Sequence, residues 1–356
     1  MAYKILTINP GSTSTKVGVF DDDNLTMKFS LSHPVEELSR YAHVNEQKDF
    51  RKEIILSVLR EKGIKLEELS AVVGRGGVIK PIPGGTYRIN EAMLADLQSM
   101  KYGEHASNLG ALIAQDIATT LNIPAFIVDP VVVDELEELA RYSGLPEISR
   151  KSIFHALNQK AVARQAAEKM GKKYEECNFL VIHLGGGISI GAHQKGRVID
   201  VNNALNGEGP FSPERSGGLP VWDLVQLALS GKYSLMEMKK RITGQGGVVA
   251  YLGTQDMLDV EKRAEKGDKE ALMVFQAMAY QVAKEAGAMA TVLKGKVDSV
   301  VITGGLARSE LFVKWIEERV SFIAPVFVFP GEDELRALAQ GAFRVLKGEE
   351  EARKYS

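Results

Sequence analysis

At 356 residues, with 45% hydrophobic and 25% charged side chains, the chain has the composition of an ordinary globular protein. It is too long for one core and reads as two domains of roughly 150 to 200 residues with a cleft between them. A net charge of −2, with acids and bases interspersed, argues against a nucleic-acid or membrane-surface partner, because no long basic block is present.

The opening segment MAYKILTINPGSTSTK lacks the basic start, apolar stretch and cleavage site of a secretory signal. No run approaches the roughly 18 apolar residues of a membrane span, so a soluble, cytoplasmic protein is expected. Lys4 to Ile8 predicts a strand, Asn9-Pro10-Gly11-Ser12 a tight polar turn, and Lys16 to Phe20 a returning strand that ends at Asp21-Asp22-Asp23. Ala71 to Val73 and Ala125 to Val128 are short apolar runs closed by Gly or Asp-Pro, and Asn108 to Thr120 has helical spacing between them. The lone Cys177 has no thiol partner, which fits a reducing compartment and a small buried apolar role. Phe179 to Leu184, Gly185-Gly186-Gly187 and Ile188 to Ala192 then repeat the opening strand–turn–strand plan, and Gly196 turns the chain into Val198-Ile199-Asp200. A separation of roughly 175 residues is far too long for a solenoid and predicts a duplicated domain. Helices follow at Asp256 to Lys266 and Lys269 to Leu293, a buried strand at Ser299 to Thr303, and a last helix at Asp333 to Lys347. The expected division is 1–155 and 156–336, with the C-terminal helix, 337–356, joining the first domain.

A turn rich in Gly, Ser and Thr offers backbone N–H groups and hydroxyls to an anion. INPGSTSTK supplies Gly11, Ser12, Thr13, Ser14 and Thr15, with Lys16 beside them, and HLGGGISIG supplies Gly185, Gly186 and Gly187. Either turn alone reads first as a plain hairpin; two at equivalent places of a duplicated fold reverse that and favour a phosphate clamp. No GxxxxGK[ST] segment is present, and no GxGxxG opens a helix after a first strand. What remains is α/β in class: two duplicated actin-like ATPase (ribonuclease H-like) domains, with a third Gly-Gly turn, Gly304-Gly305 before Leu306, for the adenosine.

Motifs spread from Ile8 to Leu335 carry a specific likeness: EHASNLGALIA, IVDP, IFHALNQKAV, HLGGGISIGA, NGEGPFSPERSGGLP, TQDMLDVEKRAEKG, ITGGLARSE and PGEDELRALAQGA. The chain resembles the acetate and butyrate kinase family, and VGRGGVIKPIPGG with the compact length is more similar to its butyrate kinases. The resemblance implies a kinase that moves the γ-phosphate of ATP onto butyrate or a related short-chain acid, giving ADP and an acyl phosphate. It places Asn9 at magnesium or the transferring phosphate, Ser12, Ser14 and Lys16 along the same turn, and Glu334, beside Asp333, at magnesium; a helix N-terminal carboxylate is the bland reading of Glu334. Asp256 falls near the ribose or simply caps its helix. Asn206, Gly207 and Ser212 fall on the phosphate side.

A carboxylic acid with a pKa of roughly 4 to 5 is already ionised at neutral pH, so no general base is needed. Positive charge and alignment are needed, because two anions must meet in line. Arg75 among glycines and Arg215 in the Glu-Arg-Ser-Gly turn are the candidates. Asp129 matches a family aspartate that orients water, magnesium or an arginine, or it ends its strand before Pro130. His105 matches a family histidine near the substrate, from which an imidazole donates to phosphoryl oxygen; His183, at the mouth of the glycine turn, reads as a second such donor or as a strand cap. His33, His43 and His193 read as structural. Where acetate kinases carry a second histidine after the Phe-His pair, this chain has Gln159 after Phe154-His155, an uncharged donor. An alcohol kinase would need a base that Asn9 cannot be, and an actin-like nucleotide switch would need added length. Exposed apolar helices suggest a homo-oligomer.

Overall fold

A computed structural model describes residues 2–356. The chain divides into two compact units: unit 1 holds the chain up to Val133 together with Asp333–Ser356, and unit 2 holds Asp134–Glu332. The change-over at Val133 precedes the residue 155 expected from sequence. The intervening stretch is fastened to unit 2, where Glu135 pairs with Lys160, the Glu137 N–H bonds the Ile199 carbonyl, and Arg150 holds Asp200.

In unit 1, β1 (Lys4–Pro10), β2 (Ser14–Asp21) and β3 (Asn24–Ser32) form an antiparallel meander. Next to β1 run β4 (Leu69–Arg75) and β6 (Ala125–Val128), both parallel, then the short β5 (Thr86–Arg88) and the C-terminal strand Arg353–Lys354. Because β1 is buried along nearly its whole length, it needs cover on both faces. The helices Asn108–Leu121 and Glu334–Leu346 both pack on β1 and β4 and provide it. Gly74 and Gly110 let the first of these helices come close: a Cβ on Gly110 would lie 2.4 Å from the Arg75 carbonyl. That approach fixes the backbone from which Arg75 projects.

Unit 2 repeats the plan with β7 (Asn178–Leu184), β8 (Ile188–Gln194), β9 (Arg197–Val201), β10 (Ser299–Gly304) and β11 (Val326–Pro330), in the order β11-β10-β7-β8-β9. The strand alternation divides the core. Leu180, Ile182 and Leu184 join the cluster under the long helix Lys269–Val292, while Phe179 and Val181 pack with Val162, Ala163 and Ala166 of the helix Ala156–Lys169. The duplication expected from the two hairpins is borne out, since each unit is a three-strand meander continued by parallel strands from its first strand.

Candidate active site

Unit 1 gathers three of the expected residues at the end of its central strands. Asn9 lies next to last in β1 and is 6% exposed; Arg75 ends the neighbouring β4; Glu334 opens the helix that packs on both. Asn9 Nδ2 donates to Glu334 Oε2 at 2.6 Å, Arg75 Nη1 reaches Asn9 Oδ1 at 3.4 Å, and Arg75 is ion-paired to Glu334 Oε1. Both carboxylate oxygens of Glu334 are therefore engaged. Lys16 stands directly across from Asn9 in the β1–β2 register. Asp333 is the helix N-cap, accepting from the Arg336 N–H.

The Gly11–Ser14 turn is held closed by the Gly11 N–H on the Ser14 carbonyl at 2.7 Å, with Ser12 and Thr13 exposed at its tip. Beneath it lies Arg51, 1% exposed, on the helix Lys48–Glu61; its guanidinium donates to the carbonyls of Gly11 at 2.8 Å and Ser12 at 3.0 Å. His33 completes the support, with its N–H on the Thr13 carbonyl and Nε2 2.8 Å from Thr15 Oγ1. Burial, followed by the Arg51 charge, pushes the His33 imidazole down to about 4.

His105 sits before the helix Asn108–Leu121. Its Nδ1 accepts from the Ser107 N–H at 3.2 Å, which leaves the proton on Nε2 in the neutral ring. Burial, then the Arg75 charge, lowers its pKa. Asp129 follows Val128, the register partner of Arg75, and has a left-handed φ of 38°. Its Oδ1 accepts from the Gly85 N–H at 2.6 Å and its own N–H returns to the Gly85 carbonyl, so the carboxylate shapes the loop beside β6.

In unit 2 the turn between β7 and β8 is bare backbone, and a side chain from elsewhere fills its space. A Cβ on Gly187 would lie 1.8 Å from Arg215 Nη1, so the glycine is what admits the guanidinium. Arg215 Nη1 donates to the Ala204 carbonyl at 2.6 Å, its N–H to Ser212 Oγ, and Ser212 Oγ in turn to the Gly186 carbonyl at 2.6 Å. Arg215 Nε is buried with no acceptor, and burial lowers the Arg215 pKa against the opposing charge of Glu214. Gly185, Gly186, Gly187, Ser212 and Arg215 thus form one cluster. Ser212 holds the turn from within.

His183 is buried at the end of β7, with Nδ1 2.7 Å from Asn158 Oδ1 and Nε2 3.2 Å from Glu332 Oε1. His155 stacks on it with ring centroids 3.7 Å apart. Gln159 does not face outward as a donor: it is fully buried, its amide bonded to Ser189 and to His193 Nε2. His193 continues that chain to Tyr174 Oη, and His43 lies near Glu104 at the surface.

The remaining expected residues lie elsewhere in unit 2, except that Gly304 comes close against Leu184 just before the glycine turn. Asn206 is exposed and its N–H is bound by Asn203 Oδ1; Gly207 takes a φ of 85° in the same loop. Asp256 is a helix N-cap, accepting from the Leu258 N–H at 3.0 Å. Gly304, with φ 96°, closes on Gly331, whereas a Cβ on Gly305 would meet open space and Leu306 is half-buried. Arg51, Asn158, His155 and Glu332 are site neighbours that the motifs did not single out. His155 and Asn158 lie within IFHALNQKAV and Glu332 within PGEDELRALAQGA, whereas Arg51 lies in no motif.

Two such units, each a three-strand meander continued by parallel strands, define the actin-like ATPase fold. The solved acetate kinase of Porphyromonas gingivalis matches with a TM-score of 0.78 and 21% identity, covering 97% of this chain and 100% of that one. The propionate kinase of Francisella tularensis subsp. tularensis SCHU S4 matches with a TM-score of 0.72 and 20% identity, over 95% of this chain and 98% of that one. The family model described as the acetokinase family matches residues 145–320. A curated relative, butyrate kinase 2 of Clostridium acetobutylicum, is 56% identical over 355 residues, covering all of both chains. This chain belongs to the acetokinase family and is a phosphotransferase with a carboxyl group as acceptor.

Proposed function

We propose that the chain is a butyrate kinase, which reversibly transfers the ATP γ-phosphate to butyrate and yields ADP and butyryl phosphate by direct in-line attack of the carboxylate. The observation that carries this reading is the Asn9–Arg75–Glu334 cluster, taken with the full-length likeness to a butyrate kinase. The cluster presents a guanidinium and an amide, and its carboxylate is engaged on both oxygens. It is suited to an ionised acid that needs neutralising, and it offers no base for a hydroxyl.

In this mechanism Arg75 and Arg215 stabilise charge on the phosphoryl oxygens, and Ser12, Ser14 and Lys16 hold the phosphoryl group in line. His105 donates from Nε2. His183 and Asp129 act as positioning groups, each already tied to its neighbours. Gly185 to Gly187, Asn206 and Gly207 receive the nucleotide phosphates, and Asp256, Gly304, Gly305 and Leu306 the nucleoside. Magnesium fits the donor set: Glu334 and Asn9 Oδ1 are hard oxygen ligands, and a cation already sits on Glu334 in the form of Arg75. No group of three His, Cys, Asp or Glu capable of holding a metal occurs among the described residues, so phosphates and water would complete the shell. When bound, magnesium supplies charge neutralisation to the phosphoryl oxygens.

No helix among the described residues is long and apolar enough to cross a membrane, and we place the protein in the cytoplasm. The helix Val221–Leu229 buries none of its residues and exposes Val221, Trp222 and Leu229, which supports a homo-oligomer. The deciding experiment is a hydroxamate trap for acyl phosphate across acids of two to six carbons. The expected product yield peaks at butyrate. A peak at acetate or propionate would reassign the substrate, and no trapped product with any acid, with ADP released on adding a sugar, would end the carboxylate reading.

A further inference from the structure

Arg51 is a buried arginine none of whose hydrogen bonds goes to a carboxylate. Nε and Nη2 donate to Gln47 Oε1, Nη2 also to the Ser12 carbonyl, and Nη1 to the carbonyls of Gly11 and Ser14 and to Thr15 Oγ1. Every acceptor is neutral. Burial lowers its pKa to about 10, still far above neutrality, so the charge stays in place. A buried charge is costly unless it is compensated, and the fold provides hydrogen bonds here without a counter-ion.

The same contacts set the direction of the turn. In a planar trans peptide the carbonyl of one residue and the N–H of the next point to opposite sides. With the Gly11 and Ser12 carbonyls drawn down onto Arg51, the Ser12 and Thr13 N–H groups face the other way. Neither has an acceptor among the described residues. Successive outward N–H groups above a buried cation form an anion-binding concavity.

We infer that Arg51 is a positioning residue of the phosphoryl-transfer site: it orients the Ser12 and Thr13 N–H groups and leaves its charge uncompensated for the anion they receive. This rests on reading the Gly11–Ser14 turn as a phosphate cradle. Arg51 does not touch the reacting atoms; it acts through the turn, and its charge is close enough to add to theirs.

The test compares Arg51→Gln, which removes the charge, with Arg51→Lys, which keeps it. Affinity for inorganic phosphate and KM for butyryl phosphate are read against ADP affinity by calorimetry. Arg51→Gln is expected to weaken both phosphoryl readings about tenfold or more, while ADP affinity changes less than about twofold and Arg51→Lys recovers to within about threefold of the parent. Equal losses in the two variants, or unchanged phosphate affinity in Arg51→Gln, would overturn the inference. If Arg51→Gln melts too early to assay, Gln47→Leu, which loosens the guanidinium and keeps its charge, is expected to weaken phosphate by a few-fold; no change there also counts against it. Ser12→Ala combined with Lys16→Ala separates the two levels. Loss of phosphate in that double variant but not at Arg51 sinks only the role of Arg51, and loss in neither sinks the cradle itself.

Discussion

The two turns occupy equivalent places in a duplicated strand plan, and they are built in opposite ways. In unit 1 the turn after β1 carries hydroxyls at its surface and a buried arginine, Arg51, beneath its carbonyls. In unit 2 the turn after β7 is three glycines; the arginine, Arg215, lies in the space that a side chain would occupy, and a serine, Ser212, braces the backbone. The strand–turn–strand plan is common to both copies, and each places an arginine against its turn in a different way. Gly187 of unit 2 is thus required by a neighbour. In unit 1 no neighbour fills that space, and Ser, Thr and Ser are accommodated.

The largest effect that would test this contrast comes from Gly187→Ala. The added methyl meets the tip of a flexible side chain, so Arg215 swings away while the core of unit 2 is left alone. Turnover is expected to fall by about 10²–10³, the loss that follows removal of one aligned donor to a developing oxyanion. The melting temperature should move by only a few degrees. An alanine variant with normal turnover would mean that Arg215 does not act from the position over the turn.

The support of the unit 1 turn includes a titratable group, His33, with a pH signature. His33 is 3% exposed and its folded pKa is depressed to about 4, against about 6.5 when unfolded. Between those values the unfolded chain binds a proton that the native chain does not, so stability is present above pH 6.5 and is lost as pH falls towards 4. The contribution is about 3 kcal/mol from a shift of this size. Denaturant unfolding of the parent and of His33→Gln at steps from pH 7 to 4.5 should show curves that converge as pH falls. Parallel curves would remove His33 from the support.

Chain order and composition made most of the scaffold legible. β1, β2, β7, β8, β10 and the helix Lys269–Val292 are apolar runs or long periodic segments bounded by Gly, Pro or Asp, where local signal and burial agree. β3 is different: an edge strand with mostly exposed and half-buried positions, it carries no apolar run to announce it. Within the site, glycine-rich turns and arginines among glycines mark Gly187, Arg75 and Arg215. Arg51 has no such marker, because its role comes from tertiary contacts between segments far apart in sequence; Glu332 lies in a motif, but its pairing with His183 is equally tertiary. Gln159 shows the converse, since a position suggested by a motif is occupied in this chain by a residue serving a buried network.

The smallest effect is expected where the two turns differ most in the strength of their support. Ser212 does for the Gly186 carbonyl what Arg51 does for Gly11 and Ser12, but with one neutral hydroxyl. Ser212→Ala removes that bond and the acceptor of the Arg215 N–H, and leaves the Arg215 guanidinium on Ala204. A net loss of about 1 kcal/mol in stability, and a few-fold in turnover, is the scale of a neutral hydrogen bond. Chemical unfolding and steady-state kinetics on Ser212→Ala read both. If its turnover falls as far as that of Gly187→Ala, the hydroxyl meets the phosphate directly, and the two turns are more alike than their supports suggest.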